Sequence, residues 1–229
     1  MTSFPEEPIF PADPPTEEPE PILPENKTMV DRQKEVRAWT VEKGWRENGV
    51  DERTMGEEVA LLHTEVAEAT EAYRLHMLDR WIVTYPGDGS ERVITILDSE
   101  SFDYGDNKPE GVASEVIDTL IRLLDNYAQY GLGAPEIEPD RTGSNPYENW
   151  GDAASALHHK IARVWALRKQ YAYLYESNAW TSILSEAYWD IMNEIISVCH
   201  HFDINIVEEY EAKMKYNQTR SYRHDGKNL

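Results

Sequence analysis

Apolar residues recur along most of the chain at the spacing of amphipathic helices. One stripe has apolar residues at intervals of three or four positions: Val59, Leu62, Val66, Ala69 and Tyr73. Residues with this spacing share one face of a helix, which a protein core can cover. Thr54, with Glu57 three positions later, fits a capping box. We therefore predict a helix that begins at Thr54 and continues to about Leu78.

The same spacing predicts five more helices. They cover residues 30 to 45, 111 to 130, 151 to 175, 179 to 202 and 205 to 217. Gly44 lies near the end of the first, and Gly131 is expected to end the third because glycine readily adopts the left-handed conformation found after helix C termini. Residues 132 to 150 are rich in Pro, Gly and Asp and predict a linker.

The segment between the second and third helices has a different composition. Residues 81 to 85 and 92 to 97 are rich in β-branched and aromatic side chains, and Pro86, Gly87 and Gly89 lie between these two runs. Two such runs joined by turn residues predict a β-hairpin. Residues 98 to 110 are predicted to form a loop. The fold class is therefore an all-α helical bundle with a small β-hairpin insertion.

A faint internal repeat relates the two halves of the chain. The sequence Ala-Leu-Leu-His at residues 60 to 63 corresponds to Ala-Leu-His-His at residues 156 to 159. Tyr130-Gly131-Leu132 after the third helix corresponds to Phe202-Asp203-Ile204 after the fifth. The repeat suggests two similar helical pairs in one bundle. We predict a single domain over residues 28 to 229, with a metal-binding half at 28 to 131, supporting helices at 151 to 217 and a basic tail at 218 to 229.

Residues 1 to 27 differ from this helical body in composition. They contain eight of the 13 prolines and seven acidic residues. Proline lacks the backbone N–H donor and like charges repel, so we predict an extended or disordered tail. The whole chain has 43 acidic and 22 basic residues, a formal charge of −21. Such a surface repels polyanions, which argues against a nucleic acid polymer as partner.

Cysteine content and hydropathy limit the remaining classes of protein. Cys199 is the single cysteine, so no intramolecular disulfide and no Cys-based zinc site is expected. It lies in an apolar run, which favours a core position over a nucleophile. No stretch reaches the ~18 to 20 apolar residues that span a bilayer, and the N-terminus lacks a signal-peptide pattern. The expectation is a cytoplasmic protein without a membrane partner.

Two pairs of acidic residues have the spacing of one helix face. Glu65 and Glu68 are three apart on the second helix, and Glu115 and Asp118 are three apart on the third. Residues at i and i+3 lie side by side on a helix, so two facing helices would aim four carboxylates at one point. Mg²⁺ prefers such hard oxygen ligands. A solvated acidic face is the alternative interpretation in so acidic a chain.

Basic and polar residues are concentrated near the C-terminus. They are Lys213, Asn217, Arg220, Tyr222, Arg223, His224 and Lys227. Arginine binds phosphate oxygens with a two-pronged fork, and lysine supplies a point charge. This segment is therefore a candidate phosphate-binding region. The alternative is a solvated tail that balances the acidic surface.

Three segments together resemble the motifs of the MazG-like nucleotide pyrophosphohydrolases. The first is residues 61 to 74, which begin Leu-Leu-His-Thr-Glu-Val-Ala-Glu-Ala. The second is Lys-Pro-Glu-Gly at 108 to 111 with Glu-Val-Ile-Asp at 115 to 118 and Ile-Arg-Leu-Leu-Asp at 121 to 125. The third is residues 213 to 224, Lys-Met-Lys-Tyr-Asn-Gln-Thr-Arg-Ser-Tyr-Arg-His. Many relatives carry a Glu immediately before the first ligand, where this sequence has Thr64.

The resemblance implies a helical bundle that hydrolyses a nucleoside triphosphate, a dNTP in our reading, to the monophosphate and pyrophosphate. It implies Glu65, Glu68, Glu115 and Asp118 as catalytic residues and as ligands of Mg²⁺ or, in its place, Mn²⁺. The predicted substrate-binding residues are Lys108, Arg122, Lys213, Asn217, Arg220, Lys227, Trp45 and His63. Trp39 is a further candidate for the base pocket, because aromatic faces stack on bases.

The resemblance also implies an assembly in which one subunit completes the bundle of another. Residues 151 to 203 would play that part within this chain, with Ile161, Val164, Ala187 and Asp190 at the positions of the four carboxylates. A homodimer is the expected oligomer. Two alternatives remain open at this stage: a catalytically silent helical module that binds nucleotides or a protein, and the same fold acting on an alarmone such as ppGpp.

Overall fold

Helices make up most of the part of the chain that the structure describes. The computed structural model describes residues 27–46, 53–77, 81–84, 93–96, 107–135, 147–175 and 177–222. Its six α-helices are α1 Met29–Glu42, α2 Met55–Arg74, α3 Val112–Gln129, α4 Trp150–Gln170, α5 Asn178–His201 and α6 Ile206–Thr219. The helical content predicted from the sequence is confirmed. The Pro-rich tail to residue 26, most of the linker and the C-terminal residues from 223 lie outside the described residues.

Capping side chains define where the helices begin. Thr54 and Glu57 form the predicted capping box at α2: the Glu57 carboxylate accepts from the Thr54 N–H at 2.6 Å, and the Thr54 hydroxyl accepts from the Glu57 N–H at 3.3 Å. Asn149, Ser177 and Asn205 cap α4, α5 and α6. The N-cap of α3 is Gly111, at a φ of 108°, which provides no side-chain bond. The first turn of α3 therefore has no side-chain cap of its own, and contacts with other elements hold it in place.

Four helices end with the same backbone motif. After α1, α2, α3 and α5 the left-handed residues are Gly44, His76, Gly131 and Asp203. In each case the next N–H donates to a carbonyl five residues earlier, at 2.8 to 2.9 Å. These bonds satisfy free carbonyls at the helix end. This motif ends α2 at Arg74 rather than at the predicted Leu78.

The helices α2, α3, α5 and α4 form a closed ring of four. Each of them contacts its two neighbours in that order, and α1 packs on α3, as does α6. Trp150 at the start of α4 donates to the Thr70 hydroxyl near the end of α2, so these two helices run antiparallel. The buried apolar cluster contains residues from all six helices. Cys199 lies within it, as predicted, and burial raises the pKa of its thiol.

A short sheet lies between α2 and α3 in the chain. Its strands are β1 Trp81–Thr84, β2 Val93–Ile96 and β3 Asn107–Glu110, and β1 pairs antiparallel with both of the others. The loop predicted over residues 98 to 110 is wrong for residues 107 to 110, which form β3; residues 98 to 106 lie outside the described residues. The Lys-Pro-Glu sequence of β3 lacks the β-branched pattern of a strand, and pairing with β1 places it there. The strand directly precedes α3.

The second half of the chain lacks three of the four carboxylates of the first. At the positions aligned with Glu65, Glu68 and Glu115, the residues are Ile161, Val164 and Ala187, all buried in the core. Asp190, aligned with Asp118, accepts a hydrogen bond from Arg163. The α4–α5 pair therefore completes the ring of helices without forming a second acidic group there. None of the helices in the described ranges is both long and apolar enough to cross a membrane.

Candidate metal and nucleotide site

Three carboxylates from two helices meet beside the N-terminal half of α3. Glu65 comes from α2, and Glu115 and Asp118 come from one face of α3. One oxygen of each lies within 4.8 Å of the others. We call these three residues the carboxylate cluster. Glu68, the fourth predicted ligand, is not part of this group; it is exposed on α2, and its charge acts on Glu65 from nearby. Carboxylate oxygens at this separation are a suitable ligand set for Mg²⁺.

Three cationic side chains surround the carboxylate cluster. Arg122 donates to Glu65 through its Nε. The ammonium of Lys213 lies 2.8 Å from Asp118 and 3.8 Å from Glu115. Lys108, on β3, lies 3.8 Å from the same oxygen of Glu115. Buried carboxylates need such partners because removal from water is costly for an unpaired charge.

Glu115 has one oxygen that these partners do not satisfy. Its Oε2 is buried and has no hydrogen-bond partner among the described residues. Burial raises the pKa of Glu115 to about 7, because the pull of Lys213 toward the charged form does not offset the loss of hydration. Burial also raises the pKa of Glu65, against the opposing effect of Arg122. A buried acceptor without a donor is a position that a cation or an added proton would satisfy.

A cavity of about 160 Å³ adjoins the carboxylate cluster. Asp118 of the cluster lines the cavity, as does Arg122, which donates to Glu65. The predicted residues Trp45, Asn217 and Arg220 also line it. Other lining residues include Trp39 and Arg53. The volume is below the roughly 300 to 1,000 Å³ of pockets for drug-sized ligands. The cavity therefore has room for only part of a ligand of that size.

A buried ionic network reaches this cavity at Thr40 and Asp125, which line it. Arg46, which is 1% exposed, donates to Asp125 at 2.6 and 2.9 Å and to Glu58 at 3.2 Å. The other oxygen of Asp125 accepts from Thr40 at 3.0 Å and from Arg37 at 3.3 Å. The network ties α1, α2 and α3 together. Sequence reasoning missed Arg46, because it follows α1 in a segment without helical periodicity.

His63 lies outside this group of residues, although it was predicted to contact the substrate. It is on α2 but faces α4, where its Nδ1 lies 2.8 Å from the Nδ1 of His158. The two rings stack with centroids 5.0 Å apart. Residues 63 and 65 point to different faces of α2, since successive helical positions are separated by about 100°. Lys227 lies outside the described residues.

The histidine pair predicts a loss of stability in acid. Burial lowers the pKa of both His63 and His158 below 6.5, and in His63 the neighbouring histidine adds to this. The unfolded chain then binds more protons, so the free energy of unfolding falls as pH drops below 6.5. We expect His63→Gln to lose less free energy of unfolding than the wild type between pH 7.5 and pH 5.5, as measured by urea unfolding. The control variant His200→Gln, at an exposed position, should show the same pH dependence as the wild type. If all three proteins show the same pH dependence, the histidine pair does not cause the loss of stability in acid.

Comparison of the chain with models of protein families, with curated proteins and with solved structures finds no match. The resemblance to MazG-like pyrophosphohydrolases therefore stays a prediction from three motifs. The fold shows where those three motifs lie relative to one another. Residues of the first and second form the carboxylate cluster, and Lys213, Asn217 and Arg220 of the third lie beside it or line the adjoining cavity.

Proposed function

We propose that this protein is a Mg²⁺-dependent pyrophosphohydrolase that converts a nucleoside triphosphate to the monophosphate and pyrophosphate. The observation that carries the proposal is the carboxylate cluster, with its unsatisfied Glu115 oxygen, at the edge of a cavity lined by tryptophan and arginine. Hard oxygen ligands, an aromatic surface and phosphate-binding groups are what a metal-assisted reaction on a nucleotide needs.

The residues of the cluster fit a divalent cation. Glu65, Glu115 and Asp118 would hold it, and the buried Oε2 of Glu115 would gain the partner that it lacks. A bound Mg²⁺ neutralises phosphate charge and lowers the pKa of a coordinated water. Three of the four aligned positions of the second half carry no carboxylate, which supports one such site in the described part of each chain.

The cavity walls supply groups for the rest of the nucleotide. Trp39 and Trp45 present aromatic rings on which a base can stack. Arg220 and Arg122 line the same cavity, and guanidinium groups bind phosphate oxygens in a bidentate manner. Asp125 already accepts from Thr40, Arg37 and Arg46, so its role is to fix the cavity wall.

A panel of nucleotides tests the proposal. Purified protein is incubated with each dNTP and NTP in Mg²⁺, and pyrophosphate and monophosphate are measured. We expect equal amounts of both products from at least one nucleotide, and none when EDTA removes the metal. Failure to release pyrophosphate from every nucleotide, in folded protein with Mg²⁺ present, would overturn the proposal.

Arg122 is expected to move from Glu65 to the substrate. Its side chain is 37% exposed and borders the cavity, so it can reach a phosphate when a metal ion replaces it beside Glu65. A hydrogen bond to a charged group contributes about 1.5 to 3 kcal/mol. We therefore expect Arg122→Gln to raise the KM for the triphosphate by roughly 10-fold to 100-fold.

The second half of the chain offers a matched control for Arg122. Arg163 is 40% exposed and donates to Asp190 on the next helix of the ring, much as Arg122 donates to Glu65. Arg163→Gln removes the same charge away from the cavity, so its KM should equal that of the wild type. Equal KM values for both variants would show that Arg122 does not bind substrate.

A nucleotide-binding module without chemistry is the second candidate. The observation in its favour is that Arg122, Lys213 and Lys108 already neutralise the carboxylate cluster in the absence of metal. Such a module would bind nucleotide, and its affinity would be independent of Mg²⁺. Calorimetric titration with a non-hydrolysable triphosphate, with and without Mg²⁺, separates the two candidates.

A further inference from the structure

Lys213 is enclosed by protein at the point where α6 meets the start of α3. Its side chain is 1% exposed, although it carries a charge. The ammonium donates to the Pro109 carbonyl at 3.1 Å and to the Ser114 hydroxyl at 2.8 Å, and it lies 2.8 Å from Asp118. An ammonium has three protons, and these three acceptors use all of them. No proton remains for a phosphate oxygen.

Two of these three acceptors are uncharged and do not depend on the carboxylate cluster. Pro109 is on β3, and the Ser114 hydroxyl in turn donates to the Pro109 carbonyl at 2.9 Å. The ammonium is therefore held in place even when the charges of the cluster change. This contrasts with Arg122, which is 37% exposed and borders the cavity. Lys213 is therefore held in place beside the cluster, whereas Arg122 has room to move.

Lys213 also links the start of α3 to two other elements. Gly111 provides no side-chain cap, and the first turn of α3 carries Glu115. Lys213 bridges α6, β3 and this turn through Pro109, Ser114 and Asp118. It fixes the direction from which Glu115 and Asp118 approach Glu65. Its charge reduces the repulsion between carboxylates that lie within 4.8 Å of one another.

We propose that Lys213 is an enclosed counter-ion: it occupies a cation position beside Asp118 and Glu115, holds both carboxylates in place, and takes no part in binding phosphate. It is a positioning residue. This inference rests on the proposed function, because it concerns the same metal site. It replaces the phosphate-binding role that the C-terminal motif predicts for Lys213, and it leaves that role to Arg122 and Arg220.

Metal titration without nucleotide tests the counter-ion role. A fixed positive charge 2.8 to 3.8 Å from two ligands opposes the entry of a divalent cation. We expect Lys213→Met to bind Mn²⁺, followed by electron paramagnetic resonance, at least about tenfold more tightly than wild type. Lys34→Met removes an exposed charge on α1 and should leave the affinity unchanged. The KM for nucleotide should change less in Lys213→Met than in Arg122→Gln.

Chemical labelling of the wild-type protein provides a second test that does not depend on a variant folding. Acetic anhydride modifies accessible amines, and mass spectrometry locates them. Lys213 should remain unmodified both with and without Mg²⁺ and nucleotide, whereas the exposed Lys34 should react in both. Reaction of Lys213 in the free protein with protection by nucleotide would overturn the inference.

The outcomes separate this inference from the proposed function. Equal Mn²⁺ affinity in wild type and Lys213→Met overturns the counter-ion role and leaves the proposed function standing. Mn²⁺ binding that appears only in Lys213→Met supports the counter-ion role, since the ammonium then excludes the metal. Absence of binding in both proteins overturns the metal site, and the inference with it.

Discussion

Glu115→Gln is expected to abolish Mg²⁺-dependent pyrophosphate release. Glutamine keeps the volume of the side chain but removes its charge, and Glu115 provides the buried, unsatisfied oxygen of the carboxylate cluster. Metal ions stabilise transition-state charge by several kcal/mol. Each 1.36 kcal/mol changes the rate about tenfold, so the loss in kcat should be about 10³-fold. The measurement is steady-state pyrophosphate release at saturating nucleotide.

The control for this variant is Glu71→Gln on α2. Glu71 is exposed and pairs only with the exposed Arg74 among the contacts resolved for it, so its charge is outside the carboxylate cluster. Glu71→Gln should retain the wild-type rate. Circular dichroism must show that both variants are folded. A Glu115→Gln protein that is folded and fully active would remove the cluster from the mechanism.

Arg46→Met is expected to cause the largest loss of stability. Arg46 is almost fully buried and bonds to Asp125 and Glu58, both of which are also buried. Removing one partner of a buried ion pair leaves the other charge without compensation and costs about 3 to 5 kcal/mol. Arg37 remains beside Asp125 and limits the loss there, whereas Glu58 retains only the Tyr130 hydroxyl among its described bonds. Urea unfolding measures the change.

Arg74→Met provides the comparison for Arg46→Met. Arg74 and Glu71 form an exposed pair, 73% and 58% accessible, and exposed pairs contribute little because water and salt screen them. Its unfolding midpoint should match the wild type. If Arg46→Met also unfolds at the wild-type midpoint, the network does not hold α1, α2 and α3 together.

The helices and one part of the site could be predicted because their signals are local. Apolar spacing and the Thr54 capping box depend on neighbouring residues, and both predict α2 correctly at its start. The i and i+3 spacing likewise places Glu115 and Asp118 on one face of α3. Their meeting with Glu65 follows from α2 packing on α3.

Features that depend on distant contacts could not be predicted in this way. The spacing that selected Glu65 also selected Glu68, and only the rotation of α2 against α3 leaves Glu68 exposed. Arg46 lies outside any periodic segment, so its burial against Asp125 has no local signal. The same holds for β3, which pairs with β1 at a distance of more than 20 positions in the sequence. Lysine is usually exposed, so nothing in the sequence indicates that Lys213 is buried. Its burial follows from the packing of α6 on α3.

Product identification by phosphorus NMR tests the central claim most directly. The wild-type protein and Glu115→Gln are each incubated with Mg²⁺ and the nucleotide that the panel selects. The account predicts monophosphate and pyrophosphate in a one-to-one ratio from the wild type and unchanged triphosphate from Glu115→Gln. Diphosphate and inorganic phosphate as the products, or intact triphosphate with the wild type, would contradict it.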